Sequence, residues 1–425
     1  MVVTSQLDSA AVPAPAAPWR DKKRYLWLMG LIAPTALFVV LPVVWGLNQL
    51  GWTAVSQVFF WIGPALIYVL LPALDLKFGR DGQNPPDELM EYLENDKYYR
   101  YCTYAFIPFQ FASLIFGAYM FTASNLSWLG YEGSLSWFAK IGLALSVGVL
   151  GGTGINTAHE LGHKKDSLER WLSKITLAQT CYGHFYIEHN RGHHVRVATP
   201  EDPASARFGE TFWEFLPRSV FGSARSALTL EAARIRRLGK SPWDPRTWLG
   251  NDVLNAWLMS VVLFGALIAV FGPALIPFLI IQAVFGFSML ESVNYLEHYG
   301  LLRQKNENGR YERCSPQHSW NSDHLVTNLF LYHLQRHSDH HANPTRRYQT
   351  LRSMSEAPEL PSGYATLIGV TYFPWVWRRM MDHRVIEHYD GDISRVNIDP
   401  RRRAKILARY GADERLREEK RGDAA

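Results

Sequence analysis

Histidine is concentrated in four short stretches of this chain. Nine of its fifteen histidines lie in them: His159, His163, His189, His193, His194, His298, His337, His340 and His341. Neutral imidazole is the commonest side-chain ligand for iron, copper and zinc. Nine imidazoles are too many for one metal ion and suit two. The sequence therefore predicts a metal centre that holds two ions.

The spacing within three of these stretches is typical of helices that present ligands on one face. Residues three or four apart on a helix are neighbours on its surface. The spaced sets are His159 with His163, His189 with His193 and with His194 beside them, and His337 with His340 and His341. The spacing predicts that the rings of each set lie close together on one face of a helix.

An acidic residue stands beside a ligand in every stretch: Glu160, Glu188, Glu297 and Asp339. Nine neutral imidazoles do nothing to balance the charge of two metal ions. Metal-bound histidines commonly donate their second N–H to a carboxylate, which orients the ring. We expect these four acids to do so, with Asp202 and Asp323 as weaker candidates. The alternative is that each acid caps a helix or faces water.

The average composition conceals how apolar and charged residues are distributed. A mean hydropathy of -0.12 and 20% charged residues resemble a soluble protein, yet long apolar segments alternate with strongly charged ones. Runs of about 20 apolar residues can cross a bilayer. Six such runs are predicted, near residues 25–47, 52–74, 101–122, 137–156, 252–271 and 273–295. The sequence predicts an all-α integral membrane protein with a helical cap that carries the histidines.

Lysine and arginine indicate the topology. The turns after the first, third and fifth runs contain no basic residue, whereas the opposite side carries nearly all of them. The positive-inside rule then places both termini, the long polar segments and all nine histidines in the cytoplasm. His159 and His163, like His298, are expected just past the cytoplasmic end of a span. Residues 209–237 are predicted to form a helix on the membrane surface.

The chain is predicted to comprise a disordered tail (1–18), a membrane domain (19–389) and a charged cytoplasmic tail (390–425). Its three cysteines are far apart and form no Cys-x-x-Cys pair, which argues against a disulfide framework, a zinc ribbon or an iron–sulfur module. A net charge of +5 without a basic, aromatic stripe argues against nucleic-acid binding.

Two other functions fit parts of this pattern. His159-Glu160-x-x-His163 matches the zinc metalloprotease motif, but a protease would leave at least six clustered histidines unexplained. A metal transporter would hold its ions near the bilayer midplane, inside broken helices, whereas these stretches lie at the membrane edge.

The motifs resemble the integral-membrane histidine-box diiron family of desaturases and hydroxylases. Within it, HELGHK (159–164), EHNRGHH (188–194), NYLEHYGL (294–301) and LQRHSDHH (334–341) are similar to the alkane 1-monooxygenase group, with xylene monooxygenase hydroxylase subunits as near neighbours. The resemblance covers residues 21–389. It implies that the nine histidines bind two irons, which activate O2 and insert one oxygen atom at a terminal methyl group.

The resemblance also implies a substrate and redox partners. The substrate would be an n-alkane drawn from the bilayer, with hydroxylation of aryl methyl groups or fatty-acid chain ends as the alternative. Ile67 matches a position that limits chain length. Electrons would come from rubredoxin, reduced by an NAD(P)H-dependent flavoprotein, at a bacterial cytoplasmic membrane. The basic residues that flank the histidines are expected to dock rubredoxin: Lys164, Lys165, Arg346, Arg347 and Arg352.

Overall fold

The computed structural model describes residues 20–411. This part of the chain is built from helices and contains isolated β-bridges but no strand. Six of its helices are long and apolar enough to cross a membrane: Arg24–Gln49, Thr53–Phe78, Lys97–Thr122, Trp137–Gly162, Asp252–Phe271 and Pro273–His298. They are called the first to sixth spans below. The predicted all-α fold class is confirmed, and each of the six predicted runs corresponds to one of these helices; the cytoplasmic position of the cap remains a prediction.

The fourth and sixth spans run further than their apolar segments. The fourth is helical to Gly162 and is capped by His163, and the sixth ends at His298. The backbone hydrogen bonds of a helix do not require apolar side chains, so both helices continue into the polar region. The hydropathy pattern predicted His159 and His298 just past the ends of their spans. In the structure both residues lie within the helices.

Small residues let the fourth and sixth spans pack closely together. A Cβ atom on Gly152 would lie 3.0 Å from the carbonyl oxygen of Gly286, and one on Gly148 would lie 3.0 Å from that of Gln282. Small residues at such an interface let helix backbones approach each other. The fourth span is also the most buried of the six. This packing brings the ends of the two helices, with His159 and His298, into the same layer.

The cap between the fourth and fifth spans begins with helix Ser167–Leu177 and the π-helical turn Glu188–His193. Helix Phe212–Arg237 follows, where the sequence predicted a helix. Thr211 and Glu214 form a capping box at its start. Phe212 and Phe215 are buried while Trp213 and Phe221 are exposed. The helix thus has one buried and one exposed face, as expected of a helix that lies on the membrane surface. That position remains a prediction.

Helices of the cap that follow the sixth span include Leu325–Phe330, His337–Ala342, Tyr364–Thr371 and Pro374–His388. The packed part of the chain then continues beyond Tyr389, where the sequence predicted a charged tail. Val396 and Ile398 are buried, and Ile398 forms a β-bridge with Phe208. A few apolar residues among many charges carry this packing, and they are too sparse to stand out in the sequence. The predicted disorder of residues 1–18 lies outside the described residues.

Candidate metal centre

All nine histidines singled out in the sequence meet in the cap, in two groups. Within each group, one ligand atom of every histidine lies within 4.8 Å of the others. The five-histidine group consists of His159, His163, His189, His194 and His340, and the four-histidine group of His193, His298, His337 and His341. The sequence predicted the set but gave no indication of this division.

The nitrogen spacing in the five-histidine group suits a metal ion. The Nε2 atom of His340 lies 2.8 Å from that of His159 and 3.1 Å from that of His194. The Nε2 atom of His189 lies 3.0 Å from those of His163 and His194. With metal–nitrogen bonds of about 2.1 Å, two ligands at right angles stand about 3.0 Å apart. The five imidazoles are therefore spaced as neighbouring ligands around one ion.

The nitrogen atoms of the four-histidine group are likewise arranged to suit a metal ion. The Nε2 atoms of His337 and His341 are 2.9 Å apart. The Nε2 atoms of His193 and His298 are buried and have no hydrogen-bond partner. Buried polar atoms are nearly always paired, so these two ring nitrogens fit a site that a metal ion would complete.

The second nitrogen of each of these two rings is fixed by the protein. Nδ1 of His193 lies 2.8 Å from a carboxylate oxygen of Asp202, and Nδ1 of His298 lies 3.1 Å from the backbone carbonyl oxygen of His318. An N–H that donates to such an oxygen places the proton on Nδ1 and leaves the Nε2 lone pair for a metal. The two rings are thus oriented for coordination through Nε2.

A π-helical turn decides which histidines of the second stretch act together. In an α-helix His189 and His193 would share a face, as the spacing predicted. Glu188–His193 is instead π-helical, with backbone hydrogen bonds between residues five apart. His189 therefore shares its group with His194, and His193 belongs to the other group. The expectation that His189 and His193 share one helical face is corrected accordingly.

The neutral form is favoured for six of the histidines in the cap. Burial, together with neighbouring imidazoles, lowers their pKa values well below the usual 6.5: this holds for His163, His189, His194, His337, His340 and His341. A protonated imidazole cannot bind a metal, so neutral rings are the form that coordination needs.

Two of the six predicted carboxylates contact a ligand histidine. Asp202 accepts a hydrogen bond from His193. Its pKa lies near 2 because, although burial raises it, His193 and the Ser205 hydroxyl stabilise the ionised form. The Oε2 atom of Glu297 lies 3.2 Å from Nε2 of His337.

The other four carboxylates pair with basic residues instead. The pairs are Glu160 with Lys164 at 2.8 Å, Glu188 with Arg196 at 2.6 Å, Asp323 with Arg336 at 3.2 Å and Asp339 with Arg346 at 2.6 Å. Successive residues of a helix point about 100° apart, so an acid next to a ligand in sequence tends to face away from the metal. The structure does not place these four acids against the ligand rings.

Ile67 is buried and lies in a second π-helical segment, Leu66–Leu70. It lines an apolar cavity with Met289, Leu334 and Ile368, and Asn156 also borders this cavity. A second, smaller cavity shares Asn156 and Leu334 with the first and is lined by the ligands His159 and His340. The two cavities thus lie side by side between Ile67 and the five-histidine group.

A third apolar cavity lies further along the same helices. Leu66, Val149 and Leu150 line it, together with residues of the first span. The three cavities follow the fourth span from Ser146 through Thr153 and Asn156 to His159. Asn156 belongs to none of the histidine motifs. It is a polar residue within an apolar run, one turn before His159, and that placement was the available signal.

Four of the five basic residues predicted to dock an electron donor are engaged within the protein. Lys164 and Arg347 are only 6% and 8% exposed. Lys164 pairs with Glu160, and Arg347 makes two contacts with Glu169, at 3.0 and 3.1 Å. Buried carboxylates require such partners, which is why these cations face inward.

Of the remaining three basic residues, two form ion pairs and one is exposed. Arg346 pairs with Asp339 and Arg352 with Asp87. Lys165 is exposed, and no ion pair involves it in the described part of the chain. A docking role for Lys164 and Arg347 does not fit their burial, whereas Lys165 remains available to a partner.

Comparison with known proteins identifies the relatives of this chain. Residues 135–368 match the family model described as fatty acid desaturase. The chain is 46% identical over 391 residues to an alkane 1-monooxygenase of Acinetobacter baylyi, covering 92% of each protein. It is 44% identical over 416 residues to an alkane 1-monooxygenase of Pseudomonas putida, covering 97% of each. A xylene/toluene monooxygenase hydroxylase component of Pseudomonas putida is 28% identical over 251 residues, which are 59% of this chain and 65% of that protein.

Proposed function

The chain belongs to the alkane 1-monooxygenase family and carries a fatty acid desaturase domain, and from this we propose that it is a diiron monooxygenase of the bacterial cytoplasmic membrane. It hydroxylates the terminal methyl group of medium-chain n-alkanes to give primary alcohols. The observation that carries this proposal is the convergence of nine histidines into two groups at one end of a row of cavities along the fourth span.

The donor set favours iron over zinc. Imidazole binds iron, copper, nickel and zinc, but structural and catalytic zinc is almost always four-coordinate. Five imidazoles around one ion exceed that number. A zinc protease would also need Glu160 free to act as a base, and Glu160 is paired with Lys164 at 2.8 Å. When bound, two irons would supply the activation of O2 and the insertion of one oxygen atom, the other leaving as water with two electrons and two protons.

The passage along the fourth span holds the alkane. Its lining is almost wholly apolar, with Ile67, Leu71 and Val293 among the residues around its middle. Transfer of each CH2 group from water into such surroundings is worth about 0.8 kcal/mol, which attracts a chain without fixing its position. Shape therefore sets the selectivity: the narrow passage admits the chain end-on and brings its terminal methyl group to His159 and His340.

The protein also keeps the polar groups of this passage away from the substrate. The side chain of Asn156 donates a hydrogen bond to the backbone carbonyl of Leu331 at 2.8 Å, and the Thr153 hydroxyl donates to backbone carbonyls of its own helix. The Thr153 hydroxyl and one N–H of Asn156 are therefore already paired with the backbone. Their pairing also limits the entry of water toward the metals.

Electrons come from a separate protein. The sequence contains no paired cysteines of the kind that bind an iron–sulfur centre, so the two electrons of each turnover are delivered by rubredoxin, itself reduced by an NAD(P)H-dependent reductase. The histidine groups and both termini face the cytoplasm, where the carrier is found. Lys165 is the exposed cation closest in sequence to a ligand of the fourth span.

The proposal is tested with membranes that contain the protein, supplied with rubredoxin, its reductase, NADH, O2 and n-octane. Gas chromatography of the products should show 1-octanol, formed only when O2 is present. The matched control is the variant His340→Ala, which should form none. A protein that binds iron and consumes electrons but makes no octanol has another substrate, and p-xylene is tested next because of the xylene/toluene relative. One zinc per chain and no octanol would contradict the proposal.

A further inference from the structure

Four carboxylates stand next to a ligand histidine in sequence, and one differs from the other three. Glu160, Glu188 and Asp339 are each neutralised by a lysine or arginine within 2.8 Å. No lysine or arginine pairs with Glu297 in the part of the chain that the structure describes. Glu297 is also only 1% exposed.

The two carboxylate oxygens of Glu297 have unequal surroundings. Oε2 lies 3.2 Å from Nε2 of His337, and that same nitrogen lies 2.9 Å from Nε2 of His341. Oε1 is buried and has no hydrogen-bond partner. The hydroxyl of Tyr364 is also close to the carboxylate, but it donates to the backbone carbonyl of Trp320 at 3.0 Å.

An ionised carboxylate in these surroundings needs a cation. Burial of an unpaired charge is so costly that buried charges are paired or coordinate metals. No basic side chain pairs with Glu297 in the described residues, and its Oε2 lies beside Nε2 of His337, so an ion in the four-histidine group would supply the positive charge. That group also holds one imidazole fewer than the other.

We propose that Glu297 is a ligand of the metal held by His193, His298, His337 and His341. Each metal then has five protein ligands: five imidazoles in one group, and four imidazoles with one carboxylate in the other. The inference rests on the proposed function, because it assumes that both groups hold iron. The alternative is that Nε2 of His337 carries a proton and donates it to Glu297, but this nitrogen faces His341 within the group, where a proton would compete with the metal.

A carboxylate ligand makes the two irons inequivalent. Its negative charge stabilises the ferric state of the iron that it binds, relative to an iron bound by imidazoles alone. The two irons should therefore differ in spectroscopic parameters and in reduction potential. The iron of the four-histidine group is expected to be the harder to reduce.

The test uses full-length protein in detergent, reconstituted with 57Fe and free of substrate. The wild-type protein should bind two irons per chain and show two Mössbauer quadrupole doublets of equal area. In Glu297→Gln the doublet of the four-histidine site should be lost or strongly shifted, while the other is unchanged. In Glu297→Asp, a shorter carboxylate, two irons should be retained and only one doublet should shift.

Glu291→Gln is the matched control. Glu291 is a buried carboxylate on the same helix, and it accepts a hydrogen bond from the Tyr182 hydroxyl at 2.5 Å. Its replacement should leave both doublets in place. If Glu297→Gln is folded, binds two irons and keeps both wild-type doublets, Glu297 is not a ligand. If instead the wild-type protein binds no iron, it is the proposed function that fails, so the two failures are distinguishable.

Discussion

His194 and His341 belong to different histidine groups, yet their ring centroids are only 4.4 Å apart. The two groups are therefore adjacent. Each of the consecutive pairs His193–His194 and His340–His341 contributes one ring to each group, because neighbouring helical residues point about 100° apart. The doubled histidines of the sequence are thus the elements that would place two ions side by side.

The contact between Asp202 and His193 predicts a specific effect on metal affinity. Asp202→Asn replaces the carboxylate that orients His193, so iron should be bound about 10- to 100-fold more weakly by the four-histidine group. Iron loss to a chelator, followed by absorbance, measures this. Asp323→Asn is the control, because Asp323 pairs with Arg336 and not with a ligand. Equal iron retention in both variants would contradict the assignment.

The position of Ile67 predicts an effect on chain length. Ile67→Trp fills part of the apolar cavity that Ile67 lines, so the longest n-alkane that is hydroxylated should become shorter. A mixture of alkanes from hexane to hexadecane, analysed by gas chromatography, shows the cut-off. Val69→Trp is the control, since Val69 is on the same helix and 66% exposed. An unchanged cut-off in Ile67→Trp would remove this residue from the substrate passage.

Local patterns made much of the fold and site predictable. The six spans follow from runs of apolar residues, and the nine histidines follow from their spacing, because both signals lie within single helices. The division into two groups could not be predicted, because it depends on the π-helical turn at Glu188–His193 and on how separate helices meet. Lys164 and Lys165 are adjacent and chemically identical, so the sequence does not distinguish them. In the structure Lys164 is buried against Glu160, whereas Lys165 is exposed.

The exposure of Lys165 predicts how the electron donor binds. At limiting rubredoxin, Lys165→Glu should lower the turnover rate several-fold, because charge complementarity at an interface acts mainly on the association rate. At saturating rubredoxin the variant should approach the wild-type rate. Added salt should slow the wild-type protein more than the variant, since salt screens exposed charges. Lys305→Glu, at another exposed lysine, is the control, and an equal loss in both would argue against docking at Lys165.

The packing of residues beyond Tyr389 predicts a pH-dependent contribution to stability. Arg402 pairs with Glu214 at 2.7 Å, and this hydrogen bond is the main cause that lowers the pKa of Glu214 from 4.5 to about 2. A carboxyl group whose pKa is depressed on folding stabilises the folded state above its unfolded pKa, and this contribution is lost as the pH falls from about 4.5 toward 2. Part of it is screened by solvent, because Glu214 is 29% exposed.

The variant Arg402→Gln should therefore melt at a lower temperature than the wild-type protein at pH 7. The difference should shrink as the pH is lowered from 5 to 3. Thermal unfolding in detergent, followed by circular dichroism, measures it, and Arg403→Gln is the control because Arg403 is exposed. A difference that does not change with pH would show that this ion pair does not hold the segment in place.

The most direct test of the proposed function is the origin of the oxygen atom in the product. Membranes with the protein, rubredoxin, its reductase and NADH are given n-octane under 18O2, and the alcohol is analysed by mass spectrometry. The account predicts 1-octanol with one 18O atom, formed by the wild-type protein and not by His340→Ala or His341→Ala, each of which removes a ligand from one group. Octanol labelled from H218O instead, or formed equally by both variants, would contradict it.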